Sequence, residues 1–81
     1  MTLRAITLFK LSMGAIQNVV DALIAFPEVR SIMSLTGEYD LLVEVSVESS
    51  EELYNFCSEK ICFIEGIIET NTLVVMRSWE K

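Results

Sequence analysis

The sequence contains no histidine, so the side chain that most often serves as general base, proton shuttle or metal ligand is missing. Cysteine is scarce too. Cys57 and Cys62 lack the paired spacing of zinc or redox motifs and are too few for a disulfide framework. Both are read as structural, with Cys57 on the core stripe of a helix, because a free cysteine behaves as a small buried hydrophobe. Cations are few: six Lys and Arg against twelve Asp and Glu leave a net charge of −6. Arg4, Lys10, Arg30, Lys60, Arg77 and Lys81 are scattered singly, whereas nucleic-acid binding relies on clustered cations that displace counterions. Direct DNA or RNA binding is therefore not expected. Long apolar runs are also missing, and nothing approaches the ~20 residues needed to cross a bilayer. The apolar N-terminal stretch is broken by Arg4 and Lys10 and has no small-residue cleavage site, so it is not a signal peptide. No glycine-rich phosphate loop is present, and Glu51-Glu52 reads as a favourable helix N-terminus rather than a metal site. No cofactor, metal or membrane is expected, and the setting implied is cytoplasmic.

What remains is strongly apolar. Of 81 residues, 52% are hydrophobic, which excludes disorder and sets a single domain over residues 1–81. A domain this small buries only ~60–65% of its unfolded surface. That is more apolar side chain than a monomer can hide, so a second copy is expected to cover part of it.

The periodicities predict a βαββαβ order. Residues 3–11 read as a strand apolar on both faces, and residues 14–26 as a helix. Its stripe is Ile16, Val19, Val20, Leu23 and Ile24, and Pro27 stops it. Strands follow over 29–36 and 39–47, joined through Gly37-Glu38 as a two-residue type II′ turn. From Tyr39 to Val47 apolar and polar residues alternate with a period of two. Ser49 and Glu52 fit a capping box opening a second helix, which carries Leu53, Phe56, Cys57, Ile61 and Ile64 and ends at Glu65-Gly66. Residues 67–76 form the last strand, and residues 77–81 a short tail in which Trp79 packs on a neighbouring surface. Tyr54, Phe56 and Phe63 are read as core or interface aromatics. Two strand-helix-strand halves with right-handed crossovers give an α+β, ferredoxin-like, four-stranded antiparallel sheet of order 4-1-3-2. Both helices then cover one face, leaving Ile6, Leu8 and Leu42 on the other, which needs a partner sheet.

One segment stands out, Thr36-Gly37-Glu38-Tyr39-Asp40-Leu41-Leu42-Val43. Glycine there leaves turn N–H groups open to a carboxylate, and Glu38 and Asp40 could receive an ammonium, a complement to a zwitterionic amino acid. The plainer alternative is a hairpin whose glycine meets a positive φ and whose acids are merely solvated.

With Pro27-Glu28-Val29, Leu53, Glu65-Gly66-Ile67 and Thr70-Asn71-Thr72-Leu73-Val74-Val75, this segment makes the chain resemble a known family over nearly its whole length. It is similar to the effector-binding domain of the leucine-responsive regulatory protein/AsnC (Lrp/AsnC) transcription factors, the regulation-of-amino-acid-metabolism domain. The resemblance implies a dimeric α+β barrel formed through the sheets, with dimers assembling into octamers or decamers and amino acids binding between dimers. It also implies a ligand shell of Gly37, Glu38, Tyr39, Asp40, Thr70 and Thr72. Full-length members carry an N-terminal helix-turn-helix, whereas Met1 here stands two residues before the first strand. The expectation is a stand-alone version acting through assembly, or through mixing with a full-length Lrp/AsnC regulator, and not an enzyme. The alternatives are a cofactor-less dimeric α+β-barrel enzyme and a purely architectural or modulatory subunit.

Overall fold

A computed structural model describes residues 2–81. The elements run β1 (Leu3–Leu11), α1 (Ile16–Ile24), β2 (Val29–Ser34), β3 (Leu41–Val47), α2 (Ser50–Glu59), a 3₁₀ turn (Ile61–Phe63) and β4 (Ile67–Val74). The strands form one antiparallel sheet of order β2-β3-β1-β4, the ferredoxin-like arrangement. The alternation in β3 decides which face is inside: Leu41, Val43, Val45 and Val47 are all buried. They meet Ala5, Thr7 and Phe9 of β1, Val19 and Leu23 of α1, and Leu53 and Phe56 of α2 in one core. Among the described residues, Thr7 is the single buried polar side chain. At the far end Phe26 and Phe56 pack edge to face at 5.7 Å, and the Lys60 ammonium meets Glu28 at 2.7 Å, tying the two halves together.

The elements are shorter than periodicity implied. Gly14, at φ +80°, lies in the turn before α1, and the helix ends at Ile24, ahead of Pro27. The Phe26 N–H then donates to the Leu23 carbonyl, a tightened last turn. The second helix is capped as expected, Ser49 Oγ accepting from Glu52 N–H at 3.1 Å, but it breaks at Lys60 and does not run on to Glu65. The 3₁₀ turn that follows keeps Ile61 in the core. Gly66, at φ +101°, is thus the entry to β4 and not a helix cap. A Cβ there would lie 2.6 Å from the Ala15 Cβ.

The β2–β3 connection is also longer than a two-residue turn. The strands end at Ser34 and resume at Leu41, and Leu35 N–H donates to the Asp40 carbonyl at 2.9 Å. Asp40 is held by β1 instead, its N–H on the Phe9 carbonyl and its carboxylate on the Leu11 N–H, so the loop opens around it. Of the aromatics read as core or interface, Phe56 alone is buried, while Tyr54 and Phe63 are exposed. Cys62 is exposed and Cys57 half-buried, both as free thiols. Trp79 is exposed, with the Arg77 guanidinium 5.7 Å from its ring centroid.

Among the described residues no helix covers the back of the sheet. Register places Leu8 between Leu42 and Asn71, Met33 opposite Leu42, and Leu73 opposite Ile6. Ile6, Leu8 and Leu42 are half-buried, while Met33 and Leu73 remain 44% and 49% exposed. Arg4–Glu44 at 3.6 Å and Ser31–Glu44 at 2.9 Å lie toward the end of this apolar band. Among the described residues no helix is long and apolar enough to cross a membrane.

Candidate functional site

The six residues singled out in the sequence fall into two groups. The first surrounds the β2–β3 loop. Gly37 takes φ +112° with nothing within 4 Å of a Cβ built on it, so backbone conformation and not crowding selects glycine there. Glu38 beside it is exposed. Tyr39 lies over the back of the sheet, its hydroxyl donating to Glu69 at 3.4 Å and its ring 6.0 Å from the Lys10 ammonium. Lys10 and Glu69 face each other across β1 and β4, so three residues distant in sequence meet at one spot. Asp40 is less free than a ligand-binding acid would be. Its Oδ2 accepts from the Leu11 N–H at 2.8 Å, a charge-assisted bond that fixes the loop to β1.

The second group sits on β4. Thr72 pairs with Thr7 and Thr70 with Phe9, two β1 residues that are buried, so both threonines turn toward the helix side. Thr72 Oγ1 lies 3.4 Å from Thr7 Oγ1 and 3.8 Å from Cys57 Sγ. Here the 3₁₀ turn and β4 diverge, leaving an open groove of about 210 Å³ lined by Cys57, Ile61, Cys62 and Ile64 on one wall. Ile67, Ile68, Glu69, Thr70 and Thr72 form the other. The Cys62 thiol donates to the Ser58 carbonyl at its rim.

The two groups do not converge within one chain. β1 stands between β3 and β4, which separates them by about 10 Å at the usual strand spacing, and they lie toward opposite faces of the sheet. Sequence reasoning missed Lys10, Glu69 and the isoleucine wall of the groove. The register that joins Lys10 to Glu69 has no local signal. Ile61 and Ile64 had been assigned to a helix stripe and thus to the core.

Comparison with known proteins agrees with this architecture. The family model of the Lrp/AsnC ligand binding domain matches residues 4–81. The HTH-type transcriptional regulator FL11 of Pyrococcus furiosus is 34% identical over 73 residues, covering 90% of this chain and 48% of that protein. The chain thus spans about half the length of the curated relatives it matches. The crystal structure of FFRP-DM1 superposes with a TM-score of 0.87 at 32% identity, covering 91% of this chain and 99% of the other. The transcriptional regulator NMB0573 of Neisseria meningitidis, in its L-Met complex, gives a TM-score of 0.90 at 20% identity. That alignment covers 98% of this chain and 53% of the regulator, a likeness of fold.

Proposed function

Because the chain belongs to the Lrp/AsnC ligand-binding domain family, we propose that it is an amino-acid-sensing regulatory module whose site is completed only between subunits. The division of the candidate residues carries this reading. One subunit offers the loop with Gly37, Glu38, Tyr39 and Asp40, and another offers the groove with Thr70 and Thr72. The open back face, with Leu8 and Leu42 at its centre, is the surface through which two copies pair, and such dimers associate further into rings of eight or ten. Loop N–H groups suit the carboxylate of the effector, and the Glu38 carboxylate suits its ammonium. The neighbour solved with L-Met supports an amino acid as the ligand class.

An effector bound between dimers shifts assembly by its differential affinity for the two states, typically about 1–3 kcal/mol. Without a basic cluster of its own, this stretch would pass that shift to DNA through a helix-turn-helix relative with which it assembles. Thermal melting and light scattering against all twenty amino acids test the reading. A ligand at 100 times its Kd adds about 2.7 kcal/mol, which raises the melting temperature of a domain this size by on the order of 10 °C. If none of the twenty moves either the melting point or the particle size, the sensing role is wrong.

A further inference from the structure

Resting on the reading that the groove between the 3₁₀ turn and β4 is half of the site, we infer that Lys60 is a positioning residue for it. Lys60 acts through Glu28, fixing where the turn leaves α2. The chain changes course at this residue, which closes α2 and opens the 3₁₀ turn with φ −115° and ψ −55°. The Lys60 N–H makes the last helical bond, to the Phe56 carbonyl at 3.1 Å. Beyond it the Phe63 and Ile64 N–H groups reach only three residues back, to Lys60 and Ile61. Ile61, Cys62 and Ile64, which follow directly, form one wall of the groove.

That wall is strung between two held ends. At the far end the Gly66 carbonyl accepts from the Ser12 N–H at 2.8 Å, and the Glu65 carbonyl accepts from the Asn18 side chain at 3.4 Å. At the near end a side chain makes the tie. The Lys60 ammonium lies 2.7 Å from Glu28 Oε2 and 5.3 Å and 6.0 Å from the Phe26 and Phe56 ring centroids. Glu28 is a firm anchor. It follows Pro27, its carbonyl accepts from the Ser46 N–H at 2.9 Å, and its side chain is only 14% exposed. Its Oε1 is buried with no hydrogen-bond partner among the described residues, so the carboxylate is neutralised by Lys60. Cutting this tie leaves α2 its Ser49 cap and its buried Leu53 and Phe56, but frees the turn to swing about residue 60. The groove then opens on the side of Cys57.

Thiol labelling reads the groove with no amino acid present, so its outcome is separate from that of the sensing test. The full chain is treated with N-ethylmaleimide under native conditions, and Cys57 and Cys62 are followed separately by peptide mass spectrometry. Glu28→Gln removes the charge pair without stranding a carboxylate, and the Lys60 side chain, already 37% exposed, is solvated. Cys57, half-buried in the parent, should label about fivefold faster in that variant. Lys60→Arg keeps a cation on Glu28 and over the rings, and should label at the parent's rate. Val43→Ala weakens the core on β3, outside the groove, and controls for labelling through global unfolding. It should leave the Cys57 rate unchanged. Equal Cys57 rates in Glu28→Gln and the parent overturn the inference. So does a rise that Val43→Ala shares, which would reduce the pair to a contribution to overall stability.

Discussion

Replacing Leu8 by Asp separates pairing of the sheets from folding of the domain. Leu8 lies at the middle of a central strand, facing the uncovered side, with Leu42 and Asn71 as its cross-strand neighbours. It is half-buried in the single chain, so the folded monomer loses little. Strand propensities span about 1 kcal/mol, which sets the scale of the folding cost. In a face-to-face dimer the change occurs twice. Full burial of a leucine is worth about 1.5–3 kcal/mol, so the minor part of Leu8 still exposed contributes under about 1 kcal/mol per copy. Each new carboxylate taken out of water between two apolar sheets costs several kcal/mol more. The sum exceeds about 4 kcal/mol, and the dimer Kd should rise a thousandfold or more. Sedimentation velocity from about 1 to 100 μM measures this, with circular dichroism confirming that the fold persists. The parent chain should sediment well above 9.2 kDa and the variant as a folded monomer. If the variant associates like the parent, or the parent is itself a stable monomer, the back face is not the pairing surface.

Two further outcomes concern the fold that positions the site. Gly66→Ala adds a Cβ 2.6 Å from the Ala15 Cβ at φ +101°, combining left-handed strain of about 1–2 kcal/mol with overpacking of about 1–3 kcal/mol. Urea denaturation should show stability falling by about 2–5 kcal/mol, and a loss under 1 kcal/mol would mean that helix α1 yields freely. Asp40→Ala removes the charge-assisted bond to the Leu11 N–H, worth about 1.5–3 kcal/mol, and should lower the melting point by on the order of 10 °C. Asp40→Asn, which keeps an acceptor oxygen, should recover most of that loss, and equal melting of all three proteins would show that the anchor contributes nothing.

The strands and helices were legible because their signals are local. The alternation in β3 reports a face buried by the element itself, and the structure buries Leu41, Val43, Val45 and Val47. Of the stripe Ile16, Val19, Val20, Leu23 and Ile24, it buries Val19 and Leu23 and leaves Ile16 and Ile24 exposed at the ends of the short helix. The Ser49 cap was legible for the same reason, since donor and acceptor are three residues apart. Errors arose where a distant segment intervened. The expected two-residue turn became a wider loop because Asp40 bonds to Phe9 and Leu11, some thirty residues earlier. The second helix was expected to continue through Ile64, but burying Ile61 beside β4 requires a change of direction at Lys60. Phe63, read as core or interface, and Cys62, read as structural, then lie exposed.

The residues of the loop and of β4 illustrate the same limit at the candidate site. Their chemistry was evident in the chain: a glycine-centred acidic loop, and hydroxyls alternating on a strand. Whether they meet depends on strand order and facing, and β1 stands between them. Composition and period therefore determined the elements, the inner face and the excess of apolar surface, because each is a property of neighbouring residues. Only the tertiary structure decided that the isoleucine groove exists and that Tyr39 and the Thr70 and Thr72 hydroxyls face opposite sides of one sheet. Those are relations between segments far apart in the chain, and no local pattern encodes the distance between them.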